Sequence, residues 1–221
     1  MSYQTAERTD GHVVNGVDVG RLFETVDAIK AEPEIAKFRF KVSNRWIDGG
    51  LNHTTIKEFH GALQDHPHTD AFELDADEPE ILLGQDKGPN PVEFLLTALA
   101  GCLTSSLVYH AATKGIEVRR VESRLEGDLD LRGFLGLSEE VPVGYQAIRV
   151  SMRVDADISN EEKEELIEDS DLLPSIPEPY DKQTYTVVVR LWQADPFLGS
   201  RMMRAQRRSR MMSSSSETRG E

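Results

Sequence analysis

One cysteine, one glutamate and two arginines are the residues whose chemistry could make an active site. Cys102 is the only cysteine among 221 residues, and it lies in a nearly uninterrupted apolar stretch from Phe94 to Val108. A cysteine in such a place is either a small buried hydrophobe or a nucleophilic thiol. The second role requires a thiolate, and a neighbouring arginine must favour it, because three helical turns separate Cys102 from the dipole at the helix N-terminus.

Glu93 precedes Cys102 by nine residues. In a straight helix, nine residues place two side chains on opposite faces and about 13 Å apart along the axis, so the two groups cannot touch. Unless the helix begins after Glu93, this carboxylate acts on Cys102 only through an intermediary such as an arginine. The alternative role of Glu93 is to compensate the helix dipole, since Asn90 as the cap and Pro91 as the first helical residue predict a helix start here.

The histidines do not predict a metal site. His60, His66 and His68 occur with Asp65 and Asp70, but their spacing matches no zinc pattern, and we predict a strand end followed by a polar loop. The chain has no phosphate-binding loop, GxGxxG motif or GxSxG motif. We therefore expect neither a metal nor a cofactor.

Two further histidines and one arginine have ordinary surface roles by default. His53 and Arg45 flank the predicted turn of the first hairpin. His110 lies near the end of the apolar helix, where a histidine often serves as a C-terminal cap.

Charge and composition restrict the class of protein. The 25 basic and 39 acidic residues give a net charge of −14, and because the tail from Asp195 carries six arginines against three acids, residues 1–194 carry about −17. This balance argues against a nucleic-acid partner. One cysteine excludes an internal disulfide framework, and the polar N-terminus shows no signal pattern. We expect a soluble cytoplasmic protein.

The apolar helix is not predicted to cross a membrane, because small and polar residues interrupt it. These residues are Thr97, Gly101, Thr104, Ser105 and Ser106. A helix that is apolar all round is buried in a core or between subunits. Gly101 costs about 1 kcal/mol relative to alanine inside a helix, which suggests that another element packs closely beside Cys102.

Hydrophobic periodicity predicts a domain in which antiparallel strands are segregated from helices, an α+β fold. We predict helices at 17–31, 90–114 and 159–173, and strands at 38–42, 52–59, 72–74, 81–83, 116–131, 148–154 and 185–191. The strand at 38–42 alternates as a half-buried strand does, and a phase change at 119–120 suggests a bulge. Residues 1–35 form an arm with one helix, 36–193 the main domain, and 194–221 a basic tail; we expect disorder at 1–16 and in the tail.

Three segments resemble the OsmC/Ohr family. They are FRFKVSNRWIDGGLNHTT, LLGQDKGPNPVEFLLTALAGCLTSSLVYHAATKGIEV and RLEGDLDLRGFLG. The N-P-x-E placing of Glu93, with Cys102 nine residues later, is specific, and the resemblance extends over about residues 17–192. It implies antiparallel sheets around two long central helices, and an intertwined homodimer with its sites at the subunit interface. A partner subunit would then cover the apolar helix.

The resemblance also implies a chemistry. Active members reduce organic hydroperoxides: the thiolate corresponding to Cys102 becomes a sulfenic acid, a second cysteine condenses with it, and a dithiol reductant restores both. An arginine of the first hairpin activates the thiolate and is held by the glutamate at the position of Glu93. Arg45 is the first candidate for this arginine, and Arg39 is the second.

The chain departs from the family pattern at the second cysteine. The matching region is DLLPSIPEPYD, where Ser175 or Glu178 occupies the position, and neither forms a disulfide. Two main hypotheses follow. The first is an OsmC-like stress-response protein that reduces organic hydroperoxides through Cys102 alone, with an external thiol reductant and an apolar pocket for the substrate. The second is a non-catalytic module that binds a small apolar ligand at the dimer interface, and a weaker third is an oligomeric scaffold.

Overall fold

The computed structural model describes residues 11–168, 178–180 and 184–189, which form helices and antiparallel strands and confirm the predicted α+β class. The helices are α1 (Val19–Ala31), α2 (Pro91–Thr113), α3 (Leu131–Phe134) and α4 (Asn160–Glu168). The strands are β1 (Val13–Val14), β2 (Val17–Asp18), β3 (Arg39–Phe40), β4 (Ser43–Asp48), β5 (Leu51–Gly61), β6 (Gln64–Ala76), β7 (Val118–Leu129), β8 (Tyr145–Ala156), β9 (Glu178–Tyr180) and β10 (Thr184–Val189). The chain divides into two compact units, residues 1–122 with 154–172 and residues 123–153 with 173–221.

The N-terminal part of the first unit is ordered earlier than the sequence predicted. β1 and β2 form a short antiparallel hairpin, so the expectation of disorder through residue 16 is wrong from Val13 onward. Asn15 turns the hairpin at φ 53° and pins it to the α2–β7 connection, where its side chain donates to Ile116 O and accepts from Val118 N, both at 2.8 Å. A non-local side-chain contact therefore orders this segment, and local sequence does not reveal it.

Helix α1 confirms the predicted helix and begins two residues later. The Asp18 side chain accepts from Arg21 N and caps it. Val19 and Phe23 face inward and form a small core with Val14 and Ala112, so α1 packs on the C-terminal end of α2.

β5 is the centre of the larger sheet of the first unit. β3 and β4 pair antiparallel with its two halves, and β6 also pairs with β5. The predicted hairpin around Asp48–Gly50 is therefore confirmed.

Three details of this region correct the sequence predictions. Phe38, Phe40 and Val42 are 52%, 76% and 65% exposed in the chain, so the expected half-burial is wrong. His66 and His68 lie on β6 and not in a polar loop. The predicted strand at 81–83 is instead a 3₁₀ turn at Glu80–Leu82, which ends at Leu83 in the left-handed conformation with φ 67°.

A buried carboxylate organises the loop that leads into α2. Asp77 is 1% exposed, and it accepts the amide N–H groups of Glu78 at 2.8 Å, Gln85 at 3.1 Å and Lys87 at 3.2 Å. Gly84 is required in this loop, since an added Cβ would lie 1.7 Å from the Glu78 carbonyl oxygen. The loop therefore has one tight conformation at the start of the central helix.

The second unit contains most of a four-stranded sheet in the order β7–β8–β10–β9. On β8 alternate residues are buried, as predicted for this strand. On β7 two consecutive exposed residues, Arg119 and Arg120, mark the predicted phase change. β10 confirms the last predicted strand over the residues that the structure describes.

The last predicted helix is described only as far as residue 168. Ser159 and Glu162 form the predicted capping box, with reciprocal hydrogen bonds of 2.8 and 3.2 Å, and α4 follows as Asn160–Glu168. Residues 169–173 of the predicted helix, Ser175 and the tail lie outside the described residues. Two long central helices therefore remain a prediction, as do the predicted domain boundaries.

The Asp77 carboxylate makes the stability of this loop depend on pH. Burial alone would raise the pKa of Asp77, but the amide donors of Lys87, Glu78 and Gln85 outweigh burial and hold that pKa below its ordinary value of 3.8. A depressed pKa stabilises the folded state above the ordinary value and loses that effect as pH falls through the folded-state value. Asp77→Asn should lower Tm by several degrees at pH 7, and this difference should shrink below about pH 4, as measured by thermal unfolding.

The matched control for this prediction is Asp86→Asn, an exposed residue in the same loop whose side chain has no partner among the described residues. Asp86→Asn should leave Tm unchanged at both pH values. A difference between wild type and Asp77→Asn that stays constant down to pH 2.5–3 (roughly one unit below the ordinary carboxyl value) would contradict the assignment.

Candidate functional site

The start of α2 is built as the sequence predicted. The Asn90 side chain accepts from Val92 N at 3.0 Å, and Glu93 Oε2 accepts from Asn90 N at 2.8 Å, which completes a capping box with Pro91 at the first helical position. Asn90 Nδ2 also donates to Glu78 Oε2 and ties the cap to the preceding loop. The helix therefore begins before Glu93, and at least one oxygen of this carboxylate is engaged in capping.

Cys102 is exposed on α2 within the single chain. Of the helix, Leu103, Leu107, Ala111 and Ala112 are buried, and all four lie in its C-terminal half. Leu95 in the first half is 60% exposed. The thiol is therefore open to solvent in the chain, and the predicted burial of the whole helix does not occur there.

Among the described residues, α2 is long enough and apolar enough to cross a membrane, judged by length and composition alone. Its mean hydropathy is 1.6 over an 18-residue window, of which 11% is buried. The sequence expectation of a protein without a membrane partner therefore stays a prediction.

The structure does not bring Arg45 to Cys102 within one chain. Arg45 is an exposed residue of β4, and within the part of the chain that the structure describes its guanidinium has no hydrogen-bond or ion-pair partner. Arg39, on β3, is likewise exposed and has no such partner among the described residues. The assignment of Cys102, Glu93 and Arg45 to one site stays a prediction.

His53, for which a surface role was the default prediction, lies on β5 between β4 and β6. His53 lies directly opposite Arg45 in the β4–β5 pairing and directly opposite Asp75 in the β5–β6 pairing. Its Nδ1 is 2.7 Å from Asp75 Oδ1, and its side chain is 17% exposed. The pairing of Arg45 with His53 depends on a register shift between Trp46 and Asp48, and the pairing with Asp75 depends on the length of β6. The sequence predicts neither feature.

A shallow cavity of about 330 Å³ is lined by Arg124, Glu126, Arg149 and Ser151. Its guanidinium groups already have carboxylate partners: Arg124 pairs with Glu126, and Arg149 with Asp128 and Glu126. This polar cavity is not the apolar substrate pocket that the first hypothesis expects. Within the described ranges, no group of three or more histidine, cysteine or acidic residues is placed to hold a metal ion.

Comparison with known proteins identifies the central segment. The model of the OsmC-like protein family matches residues 84–173, which contain α2, Glu93 and Cys102. This confirms the resemblance to the OsmC/Ohr family for that segment, 90 of the 221 residues. No curated protein matches the chain.

Solved structures of OsmC-like proteins are among those similar to the chain. An OsmC-like protein from Mycoplasma pneumoniae is 16% identical, with a TM-score of 0.46 over 60% of this chain and 79% of that one. An organic hydroperoxide resistance protein OsmC from Legionella pneumophila, described as a predicted redox protein and regulator of sulfide bond formation, is 19% identical. Its TM-score is 0.39, over 59% of this chain and 82% of that one.

Gly101 tests whether another surface packs beside Cys102. In the single chain nothing lies within 4 Å of a Cβ added at Gly101, so helix propensity alone would stabilise Gly101→Ala by about 1 kcal/mol. Because a helix that is apolar all round needs cover, we expect Gly101→Ala to destabilise the protein instead. The measurement is the free energy of unfolding in urea at two protein concentrations.

Ser105→Ala, one turn along the same helix, is the control, since it improves helix propensity without adding volume. It should be neutral or slightly stabilising. Stabilisation by Gly101→Ala at both concentrations would show that this face of α2 stays open.

Proposed function

We propose that this chain is an OsmC-like thiol-dependent reductase of organic hydroperoxides that works through Cys102 alone. The observation that carries the proposal is the exposure of the Cys102 side chain on α2, inside the segment that matches the OsmC-like family. The fold of one chain leaves this thiol uncovered, so the partner subunit sets its surroundings in the working form, whereas a cysteine buried within the chain itself would be inert.

The reaction is a two-electron transfer to the O–O bond. The Cys102 thiolate attacks the terminal oxygen, an S–O bond forms as the O–O bond breaks, and the alkoxide takes up a proton to leave as an alcohol. The resulting sulfenic acid condenses with an external thiol, releasing water and forming a mixed disulfide. A second thiol then attacks this disulfide, restores Cys102 and leaves as the oxidised reductant. This cycle needs no second cysteine in the chain.

We propose that the working form is a homodimer whose interface contains the site. Large apolar side chains that are exposed in the single chain support this: Phe38, Phe40, Val42, Trp46, Phe72, Leu74, Ile81, Leu83 and Leu95. Arg45 is then the cation beside the thiolate, and Glu93 is the carboxylate that holds it. Glu93 is compatible with both duties, because one carboxylate accepts several hydrogen bonds and its capping bond uses one oxygen.

The remaining properties of the proposal follow from composition. The charge of −14 disfavours nucleic acid as a partner. The polar residues and the capping box of α2 favour a protein partner over a membrane for its apolar face. We place the protein in the cytoplasm, in the response to oxidative stress, with an external thiol as reductant.

The alternative is a non-catalytic OsmC-like module that binds a small apolar ligand at the dimer interface. Two observations favour it: the chain has Ser175 or Glu178 where a second cysteine is expected, and Glu93 already serves as a capping residue. In that case Cys102 is a packing residue in the assembled dimer.

Reaction with one equivalent of cumene hydroperoxide distinguishes the two functions. We expect Cys102 to form a sulfenic acid rapidly and stoichiometrically, detected as a mass increase of one oxygen (about 16 Da) in intact protein and by a sulfenate trap. Hydrogen peroxide should react at least about tenfold more slowly, because it has no apolar group for the protein to bind.

The control is Cys102→Ser, which should show neither signal. A wild-type thiol that stays inert while the protein is folded and dimeric would refute the reductase and favour the binding module. Equal rates with the two peroxides would remove the organic hydroperoxide as the specific substrate.

A further inference from the structure

The loop that contains Asp77 touches two elements at once. Residues 77–89, which we call the Asp77 loop, follow β6 and lead into α2. A Cβ added at Gly50, in the turn between β4 and β5, would lie 3.0 Å from Glu78 Cγ and 3.2 Å from Glu78 Cβ. At its other end the Glu78 side chain accepts from Asn90 Nδ2 at the cap of α2. One side chain therefore contacts both the hairpin turn and the helix cap.

These two elements carry the charged residues of the proposed site. Arg45 lies on β4, five residues before Gly50, and Glu93 lies three residues after Asn90. Glu93 Oε2 accepts from Asn90 N at 2.8 Å, so the position of Asn90 sets the direction of the second oxygen, Oε1. In the proposed site this second oxygen holds the guanidinium of Arg45. The contacts of Glu78 therefore reach both members of the proposed ion pair.

The Asp77 loop has little freedom to rearrange between these contacts. A Cβ added at Gly88 would lie 2.4 Å from the Asp75 carbonyl oxygen, so the loop backbone packs directly on β6. Gln85 Nε2 donates to Asp48 Oδ2 in the hairpin at 3.3 Å. The carboxylate of Asp77 is buried and accepts three amide groups near it in the chain. A polar network that is satisfied in this way is rigid, so the loop holds the hairpin and the helix cap at a fixed spacing.

We propose that Glu78 is a positioning residue of the Cys102 site. Its side chain fixes the hairpin that carries Arg45 relative to the helix that carries Glu93. This role rests on the site arrangement of the proposed function and adds to it a residue that touches neither the thiol nor the peroxide.

The proposed dimer explains why this spacing matters. Arg45 does not meet Cys102 within one chain, so one chain supplies Arg45 and the other supplies Glu93 and Cys102. Each chain therefore contributes to two sites, and Glu78 sets the spacing between its two contributions. A displacement of about 1 Å in such a site costs up to about a hundredfold in rate.

The test is the rate at which iodoacetamide alkylates Cys102 in the full-length dimer, measured from about pH 5 to pH 10. Iodoacetamide reports thiolate character without requiring peroxide chemistry. An arginine held beside the sulfur favours the thiolate, so the wild-type rate should reach half its maximum at a lower pH than the rate of N-acetylcysteine. Cumene hydroperoxide is the second reagent, with the sulfenic acid as the product that is measured.

Glu78→Ala removes both contacts. It should move the half-maximal pH upward by about one unit and slow the peroxide reaction about tenfold. Glu78→Gln keeps the length of the side chain and an oxygen that accepts from Asn90 Nδ2, so it should restore most of the wild-type behaviour. The matched control is Glu80→Ala, which removes an exposed glutamate of the same loop and makes the same change of charge. It should leave both readouts at their wild-type values.

Asn90→Ser tests the same link without altering Glu78. Serine is a good N-cap that can still accept from Val92 N, so the helix start is kept, but serine lacks the Nδ2 donor. Asn90→Ser should shift the pH profile in the same direction as Glu78→Ala. The double variant should shift it no further than Glu78→Ala alone, because both changes break the same hydrogen bond.

Every outcome decides one of the two proposals. A wild-type pH profile like that of N-acetylcysteine would refute the activated thiol, and the role of Glu78 with it. A lowered wild-type profile that Glu78→Ala leaves in place, or that Glu80→Ala moves equally, would refute only the role of Glu78. A profile that depends on Glu78 in a protein inert to cumene hydroperoxide would support the positioning role and refute the reductase.

Discussion

The constraint on which the rest of the structure depends is that α2 is apolar on all sides and one chain covers only part of it. The helix has 23 residues, and its buried residues, Leu103, Leu107, Ala111 and Ala112, all belong to the C-terminal half. Apolar surface left in water costs about 25 cal/mol for each Å². The N-terminal half is therefore left uncovered by the chain itself: Leu95 is 60% exposed, and nothing lies within 4 Å of a Cβ added at Gly101.

The loop before α2 makes this exposed face well defined. Asp77 gathers three backbone N–H groups, Asn90 and Glu93 close the first turn of the helix, and Glu78 joins the loop to the cap. These hydrogen bonds are satisfied within the first unit of the chain. A partner that covers α2 would thus meet a preformed surface, and little conformational entropy would be lost on binding.

The sequence was sufficient for features that depend on neighbouring residues, and insufficient for features that depend on distant ones. The starts of α2 and α4 follow from Asn90 with Pro91 and from Ser159 with Glu162, because capping is a local interaction. Alternation at 38–42 suggested a half-buried strand, but periodicity does not reveal whether another element covers the inner face, and Phe40 stays 76% exposed in the chain. The hairpin at 13–18 was missed because Asn15 bonds to residues about 100 positions away.

The same distinction between local and distant interactions applies to the candidate site. Cys102 and Glu93 were found by their spacing, and the OsmC-like match at 84–173 contains both. The pairing of His53 with Asp75 depends on the β5–β6 register, which shifts between Ile56 and Glu58. No sequence pattern predicts this shift. Within the described part of one chain Arg45 does not meet Cys102, so the proposed site requires a second chain.

The most direct test of the proposed dimer is the mass of the protein in solution, measured by sedimentation equilibrium. The chain has a mass of 24.8 kDa, and we expect a species of about 50 kDa at micromolar concentration. Leu95→Glu, which places a charge on the exposed half of α2, should return the protein to the monomer mass without unfolding it. A wild-type protein that sediments as a monomer at all concentrations would contradict the claim that a second copy covers α2 and completes the site at Cys102.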